Sequence, residues 1–355
     1  MSRGSAGRRR AARAPRPCVP LLLALVLTAC AGPGAVPPAA GTPPAPAGGA
    51  PAAATAPAPT APPQRPPLRA TYVAPVAVMA PLWMAKEGGF FERYNVPVEM
   101  GHIQANAAVA ALLAGEVDLL EISGPPVLSA ALQGADIGFI AGALNKMIFS
   151  VQVAPDVHSP QDLKGKLFGT DRPGTPVAFG TEVALQRLGL QPTDVQLLNI
   201  GSSDQLLAAL LSGQLAAAVL APPASFTADD AGYHQLINLY DVPYQNVGFA
   251  GRPSALPPLE ASLVPFLRAV RDGIDLYNDD KALAVKVIQQ YTDENDPMVL
   301  DKTYEFYKAA GFNRSLDVSE AGIQSILGFL AQTVPAAQDA QPGQFFDDRY
   351  VRQLQ

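Results

Sequence analysis

From about Leu68 onward, short apolar runs alternate with stretches whose apolar positions recur every three or four residues, the pattern of strands alternating with helices. Strands are expected at 68–74, 96–103, 117–123, 137–143, 147–154, 167–170, 195–200, 215–220 and 235–240. Helices are expected between many of them, at 81–93, 105–115, 126–133, 176–188 and 203–213. Past Pro258 the short runs stop. Leu263, Phe266, Leu267, Val270 and Ile274 keep helical spacing, as do Ile323, Ile326, Leu327 and Leu330, so this part reads as helices whose stripes are core packing. Alternation of this kind predicts an α/β architecture.

The first 67 residues follow neither period. Arg3, Arg8, Arg9, Arg10, Arg13 and Arg16 precede an apolar run at 19–29 of about eleven residues, where a membrane-crossing helix needs about twenty. Residues 1–29 are therefore expected to be a signal peptide. Leu27-Thr28-Ala29-Cys30 resembles the bacterial lipobox, which implies lipidation of Cys30 and an extracytoplasmic protein anchored to a bacterial membrane. Residues 30–67 then form the lipidated cysteine and a Pro/Ala-rich tether, too poor in bulky apolar residues to offset ordering entropy.

Composition removes several function classes. The sequence holds two cysteines, Cys18 and Cys30, of which one leaves with the signal, so no internal disulfide is expected. The three histidines, His102, His158 and His234, stand singly, and no metal site or cofactor is expected. Removing residues 1–29 leaves 19 basic against 31 acidic side chains, a net charge of −12 that argues against nucleic acid as a partner. The remaining body exceeds what one core comfortably supports, which points to two lobes.

An internal echo supports that reading. Ala111-Leu112-Leu113-Ala114-Gly115 recurs as Ala209-Leu210-Leu211-Ser212-Gly213, and the same offset carries Pro125 onto Pro223. Each copy reads as helix, glycine cap, apolar strand and proline-rich turn. Ligands of open α/β sheets bind at the carboxyl ends of strands, so the turns that follow strands are the candidate contacts. These are Pro81, Leu82 and Trp83 after the apolar 73–80 loop, and Ser123, Gly124 and Pro125 after the 117–123 strand. In the other lobe they are Gly174, Thr175 and Pro176, read as exposed glycine, N-cap and N1 proline, and then Ala221 and Pro222. Free amides at helix N-termini favour anions.

Pro81-Leu82-Trp83-Met84-Ala85-Lys86-Glu87-Gly88-Gly89-Phe90-Phe91 is similar to the opening helix of nitrate/sulfonate/taurine-type solute-binding proteins. Leu113-Ala114-Gly115-Glu116-Val117-Asp118, Asp162-Leu163-Lys164-Gly165-Lys166 and Leu188-Gly189-Leu190-Gln191-Pro192-Thr193-Asp194-Val195 follow in that family's order. The resemblance spans roughly 70 to 250. It implies a two-lobed type II periplasmic-binding-protein fold, with a ligand cleft between the lobes and extra C-terminal helices packed on the first. Lobe 1 would comprise 68–144 and 248–355, and lobe 2 residues 145–247. The implied partners are a small organic solute of the sulfonate-, taurine- or pyrimidine-like kind and an ABC permease, and a monomer is expected. Closure would turn on hinges near 143–145, where Asn145 is a further candidate contact, and near 248–251. A bulky residue at Gly124 is expected to hold the lobes open without unfolding the protein.

Two departures from the family pattern bear on the ligand. The 73–80 loop is wholly apolar, which suits an organic molecule better than a small oxyanion, and Asp118 has no counterpart at Ala216. Glu121 shares a strand face with Ser123 and either pairs with a ligand amine or pyrimidine amide or is bonded to backbone and solvent. Arg172 either reads an anionic group or stays solvated. An enzyme is not expected. Thiamine-pyrimidine synthases resemble these receptors, but they carry a cysteine-rich segment that this body lacks. A ligand-sensing lipoprotein is the alternative that the sequence leaves open.

Overall fold

The structure, a computed structural model, describes residues 65–201 and 203–354. The expected signal peptide, Cys30 and the tether up to residue 64 lie outside the described residues.

The first half of the body runs β1 (Leu68–Tyr72), α1 (Ala80–Glu87), α2 (Phe90–Arg93), β2 (Val98–His102), α3 (Ala105–Ala114), β3 (Leu119–Ile122), α4 (Gly124–Leu132) and β4 (Gly138–Lys146). The chain then builds β5 (Ser150–Val153), β6 (Leu167–Thr170), α5 (Pro176–Arg187), β7 (Gln196–Asn199), α6 (Ser203–Leu211), β8 (Ala217–Leu220), α7 (Ala224–Asp230) and β9 (His234–Asn238). It returns as β10 (Pro243–Gly251) and finishes with α8 (Glu260–Asp279), α9 (Lys281–Thr292), α10 (Pro297–Ala310) and α11 (Glu320–Leu330). Among the described residues the strands form two five-stranded sheets, ordered β2-β1-β3-β10-β4 and β7-β6-β8-β5-β9.

The two orders match position for position, and the echo in the sequence is the reason. Gly115 and Gly213 end α3 and α6 in the left-handed region, with φ of 77° and 75°. In each copy the next amide turns back onto the helix, Glu116 N to Ala111 O at 2.9 Å and Gln214 N to Ala209 O at 3.1 Å. Each glycine thus delivers the chain into a buried strand, β3 or β8. β3 pairs parallel with β1 and antiparallel with β10, and β8 pairs parallel with β6 and antiparallel with β5, so in each sheet the antiparallel partner is a strand next to a crossover.

Two expectations change. β10 falls where the 248–251 hinge was expected. Gly248 and Gly251 lie inside the sheet, paired to Ile122 and Leu119 of β3. A Cβ on Gly248 would stand 2.5 Å from Ala141 O, so glycine here permits close strand approach and not bending. The chain crosses between sheets at 147–149 and 239–242 instead, where Met147 N donates to Val242 O at 3.1 Å and Leu239 N to Phe149 O at 2.9 Å. The expected lobe boundaries at 144/145 and 247/248 accordingly fall inside β4 and β10. The helix expected at 81–93 is broken, because Gly89 takes a left-handed φ of 68° between α1 and α2.

The C-terminal helices reach further than expected. α8 covers the first sheet, with Phe266 packed on Phe91 and Phe249 at centroid distances of 5.6 and 5.3 Å. α10 and α11 also touch the second unit. Lys302 pairs with Asp230 at 2.7 Å, Phe306 packs on Phe226 and Tyr240, and Phe329 meets Phe179 edge-on at 5.2 Å.

Candidate ligand cleft

The registers fix where the two sheets face each other. Gly248 of β10 lies opposite Ile122, at the carboxyl end of β3, and Ser150 of β5 lies opposite Leu220, at the carboxyl end of β8. Both crossovers therefore enter at the carboxyl ends of the parallel strands, and the turns after β1, β3, β6 and β8 converge on the junction between the sheets. That is the crevice in which open α/β sheets hold ligands.

On the second unit, Gly174 takes a φ of 84° and Thr175 caps α5, its Oγ1 accepting from Ala178 N at 3.2 Å. Gly174, Thr175 and Pro176 are half-buried, as is Ala221. Pro222 is buried, and its carbonyl accepts from Tyr307 Oη of α10 at 3.5 Å. Arg172 stays largely in solvent, with Asp171 Oδ1 3.7 Å from its Nε.

On the first unit most candidates are covered. Ser123 is the half-buried N-cap of α4, without a side-chain cap bond. Pro125 is buried, and so is Gly124, where a Cβ would meet Ile326 Cδ1 at 2.3 Å and Gln245 O at 3.1 Å. A bulky residue at Gly124 would strike core and backbone, so it cannot serve as the simple hinge block expected from sequence. Asn145 is half-buried at the end of β4, and its Nδ2 donates to Asp317 O at 2.8 Å. Pro81, Leu82 and Trp83 are buried in α1, and the indole of Trp83 stacks on Tyr291 of α9 at 4.7 Å and stands edge-on to Tyr72 at 5.3 Å.

Glu121 is fully buried on β3, directly across from Tyr72 on one side and Phe249 on the other. Burial pushes its carboxyl well above the usual carboxylate range, and the Leu82 amide at the start of α1 offsets this only in part. That amide leans toward the carboxyl without completing a hydrogen bond, and both carboxyl oxygens are unpaired. The indole N–H of Trp83 is likewise buried without an acceptor.

Asp118 has a different job. It accepts from Arg69 N, Nε and Nη2 at 2.9, 3.0 and 2.6 Å, at the amino end of β3. That is the end away from the crevice, so the missing acid at Ala216 concerns strand register and carries no information about the ligand.

Sequence reasoning passed over a polar group in the second unit. Ser150 and Gln152 are buried on one face of β5, and Ser225 of α7 is buried too. Gln152 Nε2 donates to Ser150 Oγ at 3.3 Å, and Tyr240 Oη to Gln235 Oε1 at 3.4 Å. Asp229 lies near Gln152 and Tyr240 near Ser150, while Gln152 Oε1 and Ser225 Oγ have no hydrogen-bond partner. The available signal was polar residues at period two within an otherwise apolar strand.

Two sheets of identical order joined by two adjacent crossovers define a two-lobed α/β binding-protein fold of the periplasmic type. The family model described as NMT1/THI5 like matches residues 77–281, and the chain belongs to this family. No curated protein matches the chain. Among solved structures, the periplasmic aliphatic sulphonate-binding protein SsuA from Escherichia coli is similar with a TM-score of 0.64 and 16% identity, over 80% of this chain and 92% of that one. The periplasmic nitrate-binding protein NrtA from Synechocystis PCC 6803 gives 0.64 and 14%, over 82% and 88%. The ligand-binding component of an ABC-type import system from Staphylococcus aureus gives 0.66 and 15%, over 81% and 99%. At these identities the likeness is one of fold, and it agrees with the family resemblance read from the sequence motifs.

Proposed function

We propose that this chain is the extracytoplasmic solute-binding lipoprotein of an ABC importer, and that it captures a small organic molecule by closing its lobes. The observation that carries this reading is the convergence of the carboxyl ends of β1, β3, β6 and β8 on the two crossovers. Lobe 1 is built on the first sheet with the C-terminal helices, and lobe 2 on the second. The hinges are the crossovers at 147–149 and 239–242. Ser123, Asn145, Gly174, Thr175, Pro176 and Ala221 border the cleft mouth, with Glu121 and Trp83 beneath it. Ligand bridges the two sets of turns and selects the closed form that the permease engages. Lipid on Cys30 holds the protein at the membrane.

Full-length protein screened by thermal shift against sulfonates, nitrate, taurine, aminopyrimidines and aromatic carboxylates tests the receptor reading. A ligand at a hundred times its Kd adds about 2.7 kcal/mol of stability. A response confined to one chemical class, with a more compact scattering profile, is expected. A profile and melting temperature that stay fixed across this panel and with small organic amines would remove the reading. The anchor is tested separately: Cys30→Ala should move the protein from the membrane to the soluble fraction and abolish fatty-acid labelling, and unchanged partitioning would argue against lipidation there.

A further inference from the structure

A helix N-terminus at the carboxyl end of a sheet is ordinarily a place for an anion, because its first amides and its dipole both favour negative charge. In this chain that place is taken. The first turn of α1, an eight-residue helix, contains Pro81, which has no N–H, and the amide that follows, Leu82, leans toward the carboxyl of Glu121. The protein's own acid stands beside the helix terminus that would otherwise favour an anion.

That acid lacks the partners a buried carboxyl requires. It is wholly buried, neither oxygen completes a hydrogen bond, and among the described residues it forms no salt bridge. Its cross-strand neighbours are two aromatic residues, Tyr72 and Phe249. Burying an unpaired carboxyl is costly, and a carboxylate can be satisfied only by donors. An anion beside it would leave the group protonated and gain no charge partner, whereas a cation would draw it into the carboxylate form and pair with it. The Trp83 ring stands edge-on to the same Tyr72 and its indole N–H is unpaired, so a ligand there would be held best by offering an acceptor as well as donors.

We propose that the first-lobe half of the cleft recognises a protonated nitrogen on the ligand through Glu121, with a neutral acceptor oxygen close to that nitrogen, and that it rejects anionic head groups. The proposal rests on the solute-receptor reading and names the ligand class for it: an ammonium-bearing organic molecule of the amino-alcohol or amino-amide kind. Because Glu121 has no exposure, the ligand reaches it by displacing α1, whose Leu82 amide lies near the carboxyl.

The test uses two matched probes on the full-length protein, ethanolamine and isethionate, which share a hydroxyethyl group and differ in carrying an ammonium or a sulfonate. Calorimetric titration and thermal shift should register ethanolamine and not isethionate. Glu121→Gln, which keeps the shape and removes the charge, should weaken ethanolamine about ten- to hundredfold, and Glu121→Asp should recover part of that loss. Isethionate binding in place of ethanolamine would overturn the proposal and leave the receptor reading intact. Equal ethanolamine affinity in wild type and Glu121→Gln would overturn it as well. Silence toward both probes, together with silence across the wider solute panel, would overturn both. If Glu121→Gln does not fold, the wild-type contrast between the probes decides.

Discussion

At matching positions of the two sheets stand Glu121, beside Tyr72 and Phe249, and Val219, beside Val151. The first lobe thus places one ionisable group, without a partner, where the second places a plain apolar side chain. The second lobe keeps its polarity on the opposite face, where Ser150 and Gln152 replace Gly248 and Ala250 of the first, bond to each other and lie near Tyr240 and Asp229. One strand order therefore supports two different interiors, a lone group awaiting a partner and a network that mostly supplies its own. The difference teaches that topology sets where a cleft lies, while one or two inward side chains set what it accepts.

The largest expected effect tests whether the two interiors are independent. Trp83→Ala removes the ring that joins β1, α1 and α9 and should cost about 3–5 kcal/mol in urea unfolding. Because α10 and α11 touch both lobes, calorimetry should still show a single transition at lower temperature. Two separated transitions would mean that the lobes melt on their own.

The next prediction isolates Glu121 by pH. A carboxyl whose folded pKa is raised binds its proton more tightly in the native state. Its stabilising contribution is complete below the unfolded value and is lost as pH rises toward the folded one. Stability of the ligand-free protein should therefore fall by up to about 1.4 kcal/mol per pH unit above the ordinary carboxylate range. Glu121→Gln should flatten that slope, and Val219, its counterpart, contributes none. Identical slopes in the two proteins would show that Glu121 is not held protonated.

Smaller effects belong to the second lobe. Thr175→Ala removes the cap of α5 and should cost about 1 kcal/mol, read as a shift in the denaturation midpoint. Lys302→Ala breaks a partly exposed ion pair to Asp230 and should cost less than about 1 kcal/mol, with the difference vanishing in high salt. A salt-independent loss at Lys302 would mean that α10 holds the second lobe through packing more than charge.

Much of the fold was legible because local signals agreed with it. The repeated helix–glycine–strand unit reports the matched strand orders, and the Gly174-Thr175-Pro176 triplet reports the start of α5. β10 was missed because Pro243, Gln245, Asn246, Gly248 and Gly251 read as a flexible connector. Its polar side chains are absorbed by the backbone, with Gln245 donating to Val247 O and Asn246 to Lys146 O, both at 3.0 Å. Trp83 was read as a cleft residue because it is the sole tryptophan beside a candidate turn. Its burial is decided by Tyr291, some two hundred residues away, which no local pattern encodes. Glu121 was picked out by its position on a strand face, but its burial without a hydrogen-bond partner depends on Leu82 and Phe249 arriving from elsewhere.

The place of β10 between β3 and β4 also constrains how the molecule comes into being. β3 and β4 are neighbours along the chain but not in the sheet, and the strand that must separate them is made only after the whole second lobe. A chain emerging from its amino end therefore cannot zip the first sheet shut until residue 251 has appeared. Non-local closure of this kind slows folding. The early half of the first sheet can lock only when the late half reaches back to it.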